Sequence, residues 1–156
     1  MLQASEVRKG NIVRYYEATE SGAHLKQELP VDGIKFWSGF AHVQVDGNWR
    51  PLNIVEPVGL SDSWLDRFGF EYLTSTYGVR DLPKTYGKFA KLFPGIAVEI
   101  VKDQDDRYFR FIQLSDHEHG LEDVPLFFVR QLQNHCFDLT GAELTADKQA
   151  EDKILN

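Results

Sequence analysis

The stretch of sequence that decides the fold is Val124–Leu144, VPLFFVRQLQNHCFDLTGAEL. Its apolar residues recur at steps of three, four and three, as on one stripe of an α-helix: Val129, Leu132, Cys136 and Leu139. Polar residues fill the other side, as on a face open to solvent: Arg130, Gln131, Gln133 and Asn134. Pro125 suits a first helical turn, and Gly141 suits the position just past the end. Because an isolated helix of this length is marginal in water, we expect the stripe to pack on the β-like runs that precede it.

Composition and charge indicate a folded, acidic chain. The 156 residues, 42% of them hydrophobic and 13% aromatic, are enough to bury a core in one domain or two very small ones. No apolar run approaches the roughly 20 residues of a membrane span, and the N-terminal residues lack the pattern of a signal peptide. The single cysteine, Cys136, cannot form an internal disulfide and is expected to be a small core residue. These features predict a cytoplasmic protein with no membrane partner.

The first 59 residues predict a small β structure. Strands are expected at Asn11–Tyr16, Val31–Trp37, Phe40–Val45 and Trp49–Leu52, with an exposed loop over Glu17–Glu28. Asp46-Gly47 is a strong hairpin signal, and Pro51 indicates an edge or an end of the last strand. Short strands connected in this way predict a small β-barrel-like (Tudor-like) unit over residues 1–59. The sequence leaves open whether this unit is a closed barrel or a small, strongly bent open sheet.

The following residues predict a sheet between two helices. Ser61 is placed to cap a short helix that ends at Gly69. Four strands are then expected: Phe70–Thr76, Lys88–Phe93, Ile96–Lys102 and Tyr108–Leu114. The fold class is therefore α+β, in which the N-terminal barrel-like unit is followed by an antiparallel sheet flanked by a short and a long helix. This second part covers residues 60–144, and residues 145–156 form a polar tail.

Three segments resemble a family of uncharacterised small proteins of Bacteroidetes genomes, phages and mobile elements. Val7–Val13, VRKGNIV, resembles the opening R-x-G-N-x-V pattern of that family. Glu56–Phe70 is similar to its middle pattern, which ends in L-x-x-x-G-F. Val129–Leu144 is similar to its closing pattern, V-H-x-L-Q-N-L-Y-F-x-L-T-G-x-E-L, with Arg130 in place of the usual His and His135-Cys136 in place of Leu-Tyr. The resemblance implies a phage or mobile-element setting and supplies no catalytic residues.

One loop could hold a metal ion. His117 and His119 alternate with Asp116 and Glu118, and imidazole and carboxylate groups are ligands for zinc and other divalent ions. The alternative is an ordinary solvated loop, because the sequence shows no further ligands of matching character to complete a site. We favour the solvated loop and predict neither a metal site nor a cofactor.

Two other groups of residues are candidates for binding. The first is a basic and aromatic stretch that could hold single-stranded nucleic acid, or could simply guard a strand edge: Arg80, Lys84, Tyr86, Lys88 and Lys91. The second is an aromatic group that could line a pocket on the β unit, or could form its core: Phe36, Trp37, Phe40 and Trp49. In both cases we favour the structural alternative over the binding site.

The charge distribution bears on the class of partner. The net charge is −7, with −1 in residues 1–59 and −6 in residues 60–156. Such acidity opposes general binding to phosphate backbones, so nucleic acid is disfavoured as a partner. The acidic second part would instead meet a protein.

No enzyme motif is present, since the chain lacks a phosphate-binding glycine loop, a nucleophile elbow and a zinc-protease helix. We therefore expect a non-enzymatic accessory or binding protein of phage or mobile-element origin that contacts a protein partner through an acidic surface. Two alternatives stay open. One is a weak nucleic-acid-binding module that uses Arg80–Lys91, and the other is an enzyme of unrecognised type that uses the loop Asp116–His119.

Overall fold

The computed structural model describes residues 1–74, 87–94, 96–102, 109–114 and 124–146. Antiparallel sheets and two helices make up these ranges, which confirms the α+β class. The elements are β1 (Ile12–Ala18), β2 (His24–Pro30), β3 (Gly33–Trp37), β4 (Phe40–Val45), β5 (Asn48–Pro51), β6 (Glu56–Pro57), α1 (Asp62–Arg67), β7 (Glu71–Thr74), β8 (Gly87–Phe93), β9 (Ile96–Lys102), β10 (Phe109–Leu114), β11 (Val124–Leu126) and α2 (Val129–Thr140).

Contacts divide the chain into two compact units. The N-terminal unit consists of Met1–Gly59 together with Phe128–Asn134, and the C-terminal unit consists of Leu60–Phe127 together with His135–Asn156. The first half of α2 is thus part of the N-terminal unit. Residues 147–156 of the predicted polar tail lie outside the described residues.

The N-terminal unit contains two three-stranded antiparallel sheets, with strand orders β2-β1-β6 and β3-β4-β5. Across residues 1–59, all of which the structure describes, these strands form open sheets and do not close into a barrel, so the Tudor-like barrel is not found and the open form is. The predicted loop Glu17–Glu28 is also corrected, because it contains most of β2, which pairs with β1 from Ala18↔His24 to Ile12↔Pro30. The polar side chains of β2 hide this strand in the sequence. One of them, Glu28, accepts from Arg14 Nη2 at 2.8 Å on β1.

One core serves both sheets of this unit. Its buried members are Leu2, Val7, Val13, Tyr15, Val31, Val43, Val45, Leu52 and Val55. In β4, Val43 and Val45 lie on one face of the sheet and are buried, whereas Phe40 lies on the other face and is exposed. The sheet β3-β4-β5 therefore buries one face and leaves the other to solvent, as strand alternation requires.

Polar side chains hold residues 129–134 of α2 within the N-terminal unit. Gln133 is fully buried; its Oε1 accepts from the Ile12 N–H at 2.9 Å, and its Nε2 donates to the Gly10 carbonyl at 2.8 Å. Asn134 Oδ1 accepts from Arg8 Nε at 2.7 Å and from Asn11 Nδ2 at 2.9 Å. The pattern of polar residues predicts a solvent face on this side of the helix. That prediction is wrong for Gln133, because the amide satisfies main-chain groups that would otherwise be buried without partners.

Arg130 is a second correction on the same side of the helix. It is buried, and its Nη2 donates to Glu6 Oε1 at 2.9 Å within the N-terminal unit. The apolar stripe itself is confirmed for Val129, Leu132 and Cys136, which are fully buried. These residues carry the tertiary burial that a helix of this length requires.

The predicted start of α2 is corrected, and its predicted end is confirmed. The helix begins at Val129, and Pro125 lies in the edge strand β11, so Pro125 does not begin the helix as predicted. Proline suits both positions, because an edge strand also tolerates a residue that has no N–H. The end is confirmed, since Gly141 has a φ of 69° and its N–H donates to the Phe137 carbonyl at 2.8 Å.

The C-terminal unit holds a five-stranded antiparallel sheet of order β11-β10-β9-β8-β7. Ser61 caps α1 as predicted, because its side chain accepts from the Trp64 N–H. Strand β9 spans Ile96–Lys102, as the sequence predicted. Buried residues of this unit include Leu65, Phe68, Phe89, Ile100 and Leu126. Among the described residues, no helix is long and apolar enough to cross a membrane.

Candidate functional site

Exposed aromatic rings lie on the solvent side of the sheet β3-β4-β5. Residues that pair directly across antiparallel strands share a face. The register pairs Trp37 with Phe40, Lys35 with His42, and Gln44 with Trp49, which places all six on one side. Trp37 is 67% exposed, Phe40 is 68% exposed and Trp49 is 40% exposed. We call the surface formed by Lys35, Trp37, Phe40, His42 and Trp49 the aromatic face.

These observations decide between the two interpretations of the aromatic group. The rings do not form the core, because Trp37, Phe40 and Trp49 are exposed whereas Val43 and Val45 on the opposite face are fully buried. Phe36 pairs with Ala41 on that opposite face but is itself 73% exposed. Trp37, Phe40 and Trp49 therefore form an open face rather than a core, and Phe36 is exposed on the other side of the sheet.

Two tight turns hold the strands of the aromatic face in register. Ser38 and Gly39 both have positive φ, 52° and 80°, as the twisted two-residue turn of a β-hairpin requires. Asp46 and Gly47, at 52° and 76°, repeat this arrangement between β4 and β5. Trp37 and Phe40 flank the first turn directly. Their backbone positions are thus fixed before any ligand binds, which lowers the entropy cost of binding.

Trp49 lies across the sheet because Gly33 leaves room for it. A Cβ atom at Gly33 would stand 3.1 Å from Cη2 of the Trp49 indole, which is closer than ordinary van der Waals contact. Lys35 Nζ lies 4.2 Å from the centroid of the Trp49 ring and 6.0 Å from that of Trp37. The ammonium group is therefore positioned between two indoles by cation–π attraction.

His42 borders the same group. Its ring centroid lies 5.7 Å from that of Trp37 with the planes tilted by 53°, and its Nδ1 is 3.1 Å from the Phe40 carbonyl oxygen. Lys35 and His42 were missed by the sequence analysis. The signal was available, because Lys35 precedes Trp37 by two residues, and His42 follows Phe40 by two, so strand alternation places each beside its ring.

The charge on the aromatic face is small and positive. Over residues 33–51, which the structure describes in full, Lys35 is the only formally charged side chain at the register positions of this face. Arg50, on the opposite face, donates to Glu17 Oε1 at 2.9 Å, and its guanidinium lies 4.1 Å from the Tyr15 ring centroid. The aromatic face therefore offers broad ring surface and one cation.

The basic stretch is described only in part. Arg80, Lys84 and Tyr86 lie outside the described residues, and Lys88 lies in β8 paired with Val101. Lys91 is half-buried, its Nζ donates to the Phe68 carbonyl oxygen, and burial lowers the pKa of its ammonium group. The Lys91 ammonium group thus makes an internal hydrogen bond and is less available to bind a phosphate.

The remaining chemical candidates add no second site. His117 and His119 lie outside the described residues, and no group of three or more His, Cys, Asp or Glu side chains suited to a metal ion occurs in the part of the chain that the structure describes. Burial raises the pKa of the Cys136 thiol to about 12. The thiol is protonated at neutral pH, in keeping with its interpretation as a core residue.

Fluorescence quenching provides a direct test of the aromatic face. Trp37 and Trp49 are exposed, whereas Trp64 is 5% exposed. Acrylamide is therefore expected to quench two of the three indoles readily and to leave the third protected. Trp37→Phe should reduce the accessible emission, and Trp64→Phe should remove the protected component. Equal protection of all three indoles would contradict the exposure of this face.

Comparison of the chain with protein-family models, with curated proteins and with solved structures found no match in any of the three.

Proposed function

We propose that this protein is a non-enzymatic accessory protein that binds a protein partner through the aromatic face. The observation that carries the proposal is the exposure of Trp37, Phe40 and Trp49 on one side of a rigid three-stranded sheet. Large apolar groups that are grouped on a surface commonly mark interaction sites, and tryptophan is among the residues most enriched at binding hot spots. The phage or mobile-element setting belongs to the same proposal and is supported by the resemblance of Val7–Val13, Glu56–Phe70 and Val129–Leu144. The cytoplasmic location stays a prediction.

The proposal moves the principal contact from the acidic surface to the aromatic face. The acidic surface was inferred from a net charge of −6 over residues 60–156, many of which lie outside the described residues. The acidic surface stays a prediction. Its proposed role is the long-range electrostatic steering of the partner, whereas the aromatic face makes the direct contact. The Tudor-like comparison is likewise kept only as a proposed functional analogy, namely a small β unit that presents aromatic side chains.

Affinity capture with matched variants tests the proposal. Wild-type protein, Trp37→Ala and Ile54→Ser would be immobilised and exposed to a nuclease-treated Bacteroidetes lysate. Ile54 is a suitable control because it is 57% exposed in the same unit but lies outside the aromatic face. We expect one partner protein to be retained by the wild type and by Ile54→Ser, and to be lost with Trp37→Ala.

Folding must be checked alongside the capture experiment. Trp37 is mostly exposed, so Trp37→Ala should change the free energy of unfolding by no more than about 0.5 kcal/mol. Equal retention by Trp37→Ala and wild type would contradict a role for the aromatic face. A parallel capture from untreated lysate distinguishes the alternatives, because a partner retained from the untreated lysate but not from the nuclease-treated one would favour the nucleic-acid alternative.

A further inference from the structure

The exposed indole and phenyl rings of the aromatic face suit a ligand that carries apolar rings of its own. Trp37 and Phe40 stand opposite each other beside the first turn, and the Trp49 indole on β5 reaches past β4 to Gly33 on β3. Indole and phenyl faces exposed side by side accept other rings by stacking. A proline-rich segment provides such rings on a preformed extended helix, which loses little entropy on binding to an aromatic surface.

The single positive charge of the aromatic face favours a ligand that carries one negative charge. Lys35 is the single formal charge on the face, and its ammonium lies 4.2 Å and 6.0 Å from the centroids of Trp49 and Trp37. A carboxylate bound there would meet a cation that the indoles already position, at the centre of the stacking surface. One acidic side chain within the segment therefore complements the face, whereas a basic side chain would be repelled.

Two other occupants fit less well. A nucleic acid gains most of its affinity from several phosphate contacts, and this face offers one lysine on a chain of net charge −7. A second copy of the chain would pair the face with itself about a two-fold axis. A contact centred on the face would bring two Lys35 ammonium groups together without a counter-charge.

We propose that the aromatic face binds an extended proline-rich segment of a partner protein, with one carboxylate of that segment at Lys35. This inference rests on the proposed function and adds the chemistry of the partner. Trp37, Phe40 and Trp49 supply the stacking surface, Lys35 sets the charge preference, and Gly33 allows the Trp49 indole to lie flat.

A charge-swap experiment tests the proposal. The probe is a fluorescently labelled peptide, Pro-Pro-Ala-Pro-Pro-Asp-Pro-Pro-Ala-Pro-Pro, and its counterpart has Lys in place of Asp. Binding is measured by anisotropy at about 150 mM salt, where charges more than roughly 8 Å apart are largely screened. We expect wild type to prefer the Asp peptide by about three- to tenfold. Lys35→Glu should reverse that preference.

Two variants separate stacking from charge. Trp37→Ala should weaken both peptides by at least about tenfold, as expected for a tryptophan at the centre of a contact, and Ile54→Ser should leave both unchanged. A third peptide, with every proline replaced by glycine, should bind poorly to all variants because it lacks the rings and the extended preference.

Several results would overturn the inference. They are equal binding of the Asp and Lys peptides to wild type, tighter binding of an oligothymidine than of the Asp peptide, and a dimer in sedimentation that Trp37→Ala dissociates. Failure of all peptides, together with Trp37-dependent capture from the lysate, would reject the proline-rich partner and leave the proposed function standing. Failure of both experiments would reject both.

Discussion

Replacing Leu132 with alanine is expected to lower the free energy of unfolding by about 2–5 kcal/mol. Leu132 is completely buried in α2, with the equally buried Val129 and Cys136 on the same stripe. The truncation removes apolar contacts and leaves a cavity that a close-packed interior can only partly fill. Chemical denaturation monitored by circular dichroism measures the change, because a shift of midpoint at constant slope reports stability alone.

Leu92→Ala is the matched control for this variant. It makes the same chemical change in strand β8, where Leu92 is 84% exposed, so its effect should stay within about 0.5 kcal/mol. Both variants remove the same side-chain atoms, so the difference between them reports chiefly the burial of Leu132. Equal shifts for both, or no shift for Leu132→Ala, would contradict the packing of the helix stripe.

Local chemistry explains which elements could be predicted from sequence. Ser61 caps α1, Asp46-Gly47 forms a hairpin turn, and Gly141 ends α2, all as expected. Each of these depends on a side chain or a φ value that a few neighbouring residues determine. Such features are encoded within the segment itself, so no knowledge of the tertiary fold is needed to find them.

Strand β2 and Gln133 show where that reasoning ends. Strand β2 has no apolar alternation, and it pairs with β1 through main-chain bonds and an ion pair between Arg14 and Glu28. Gln133 is polar, as solvent-facing residues usually are. It is nevertheless buried, because its amide pairs with the backbone of residues more than a hundred positions away. Strand β2 cannot be recognised from an apolar pattern, because it has none. The burial of Gln133 cannot be recognised either, because its main-chain partners are distant in sequence.

The sequence shows the residues of the aromatic face as an aromatic group, but it does not show that they are exposed. Trp37, Phe40 and Trp49 are apolar, and so are Val43 and Val45 on the other side of the same sheet. Alternation shows that the two sets lie on opposite faces, but it does not show which set is buried. The structure resolves this, because the valines pack with Val13 and Tyr15 in the shared core.

The segments Val7–Val13 and Val129–Leu144 meet within the N-terminal unit. Arg8 and Asn11 lie in the first segment, and Gln133 and Asn134 lie in the second. Asn134 accepts from the Arg8 and Asn11 side chains, and Gln133 accepts from the Ile12 main-chain N–H, which fixes the first half of α2 to the start of β1. These residues stabilise the N-terminal unit and thereby support the sheet that carries the aromatic face, rather than forming a ligand site themselves.

Replacing Gln133 with alanine is expected to destabilise the protein by about 2–5 kcal/mol. The change leaves the Ile12 N–H and the Gly10 carbonyl without the amide that pairs with them, at a cost of about 1–3 kcal/mol for each group that water cannot reach. It also opens a cavity, since the Gln133 side chain is fully buried. Asp138→Ala, at an exposed position of the same helix, is the control and should be close to neutral.

Gln133→Glu tests the hydrogen-bonding account separately from the cavity. The glutamate nearly preserves the shape and can still accept from the Ile12 N–H, but an ionised carboxylate cannot donate to the Gly10 carbonyl. Burial beside that carbonyl should raise the folded-state pKa of the new carboxyl above its unfolded value. The penalty is then full at pH values above the folded pKa and shrinks as the pH falls toward the unfolded pKa, because the protonated acid regains the donor. A Gln133→Glu penalty that does not depend on pH, or an unchanged midpoint for Gln133→Ala, would show that the buried amide does not hold α2 to β1.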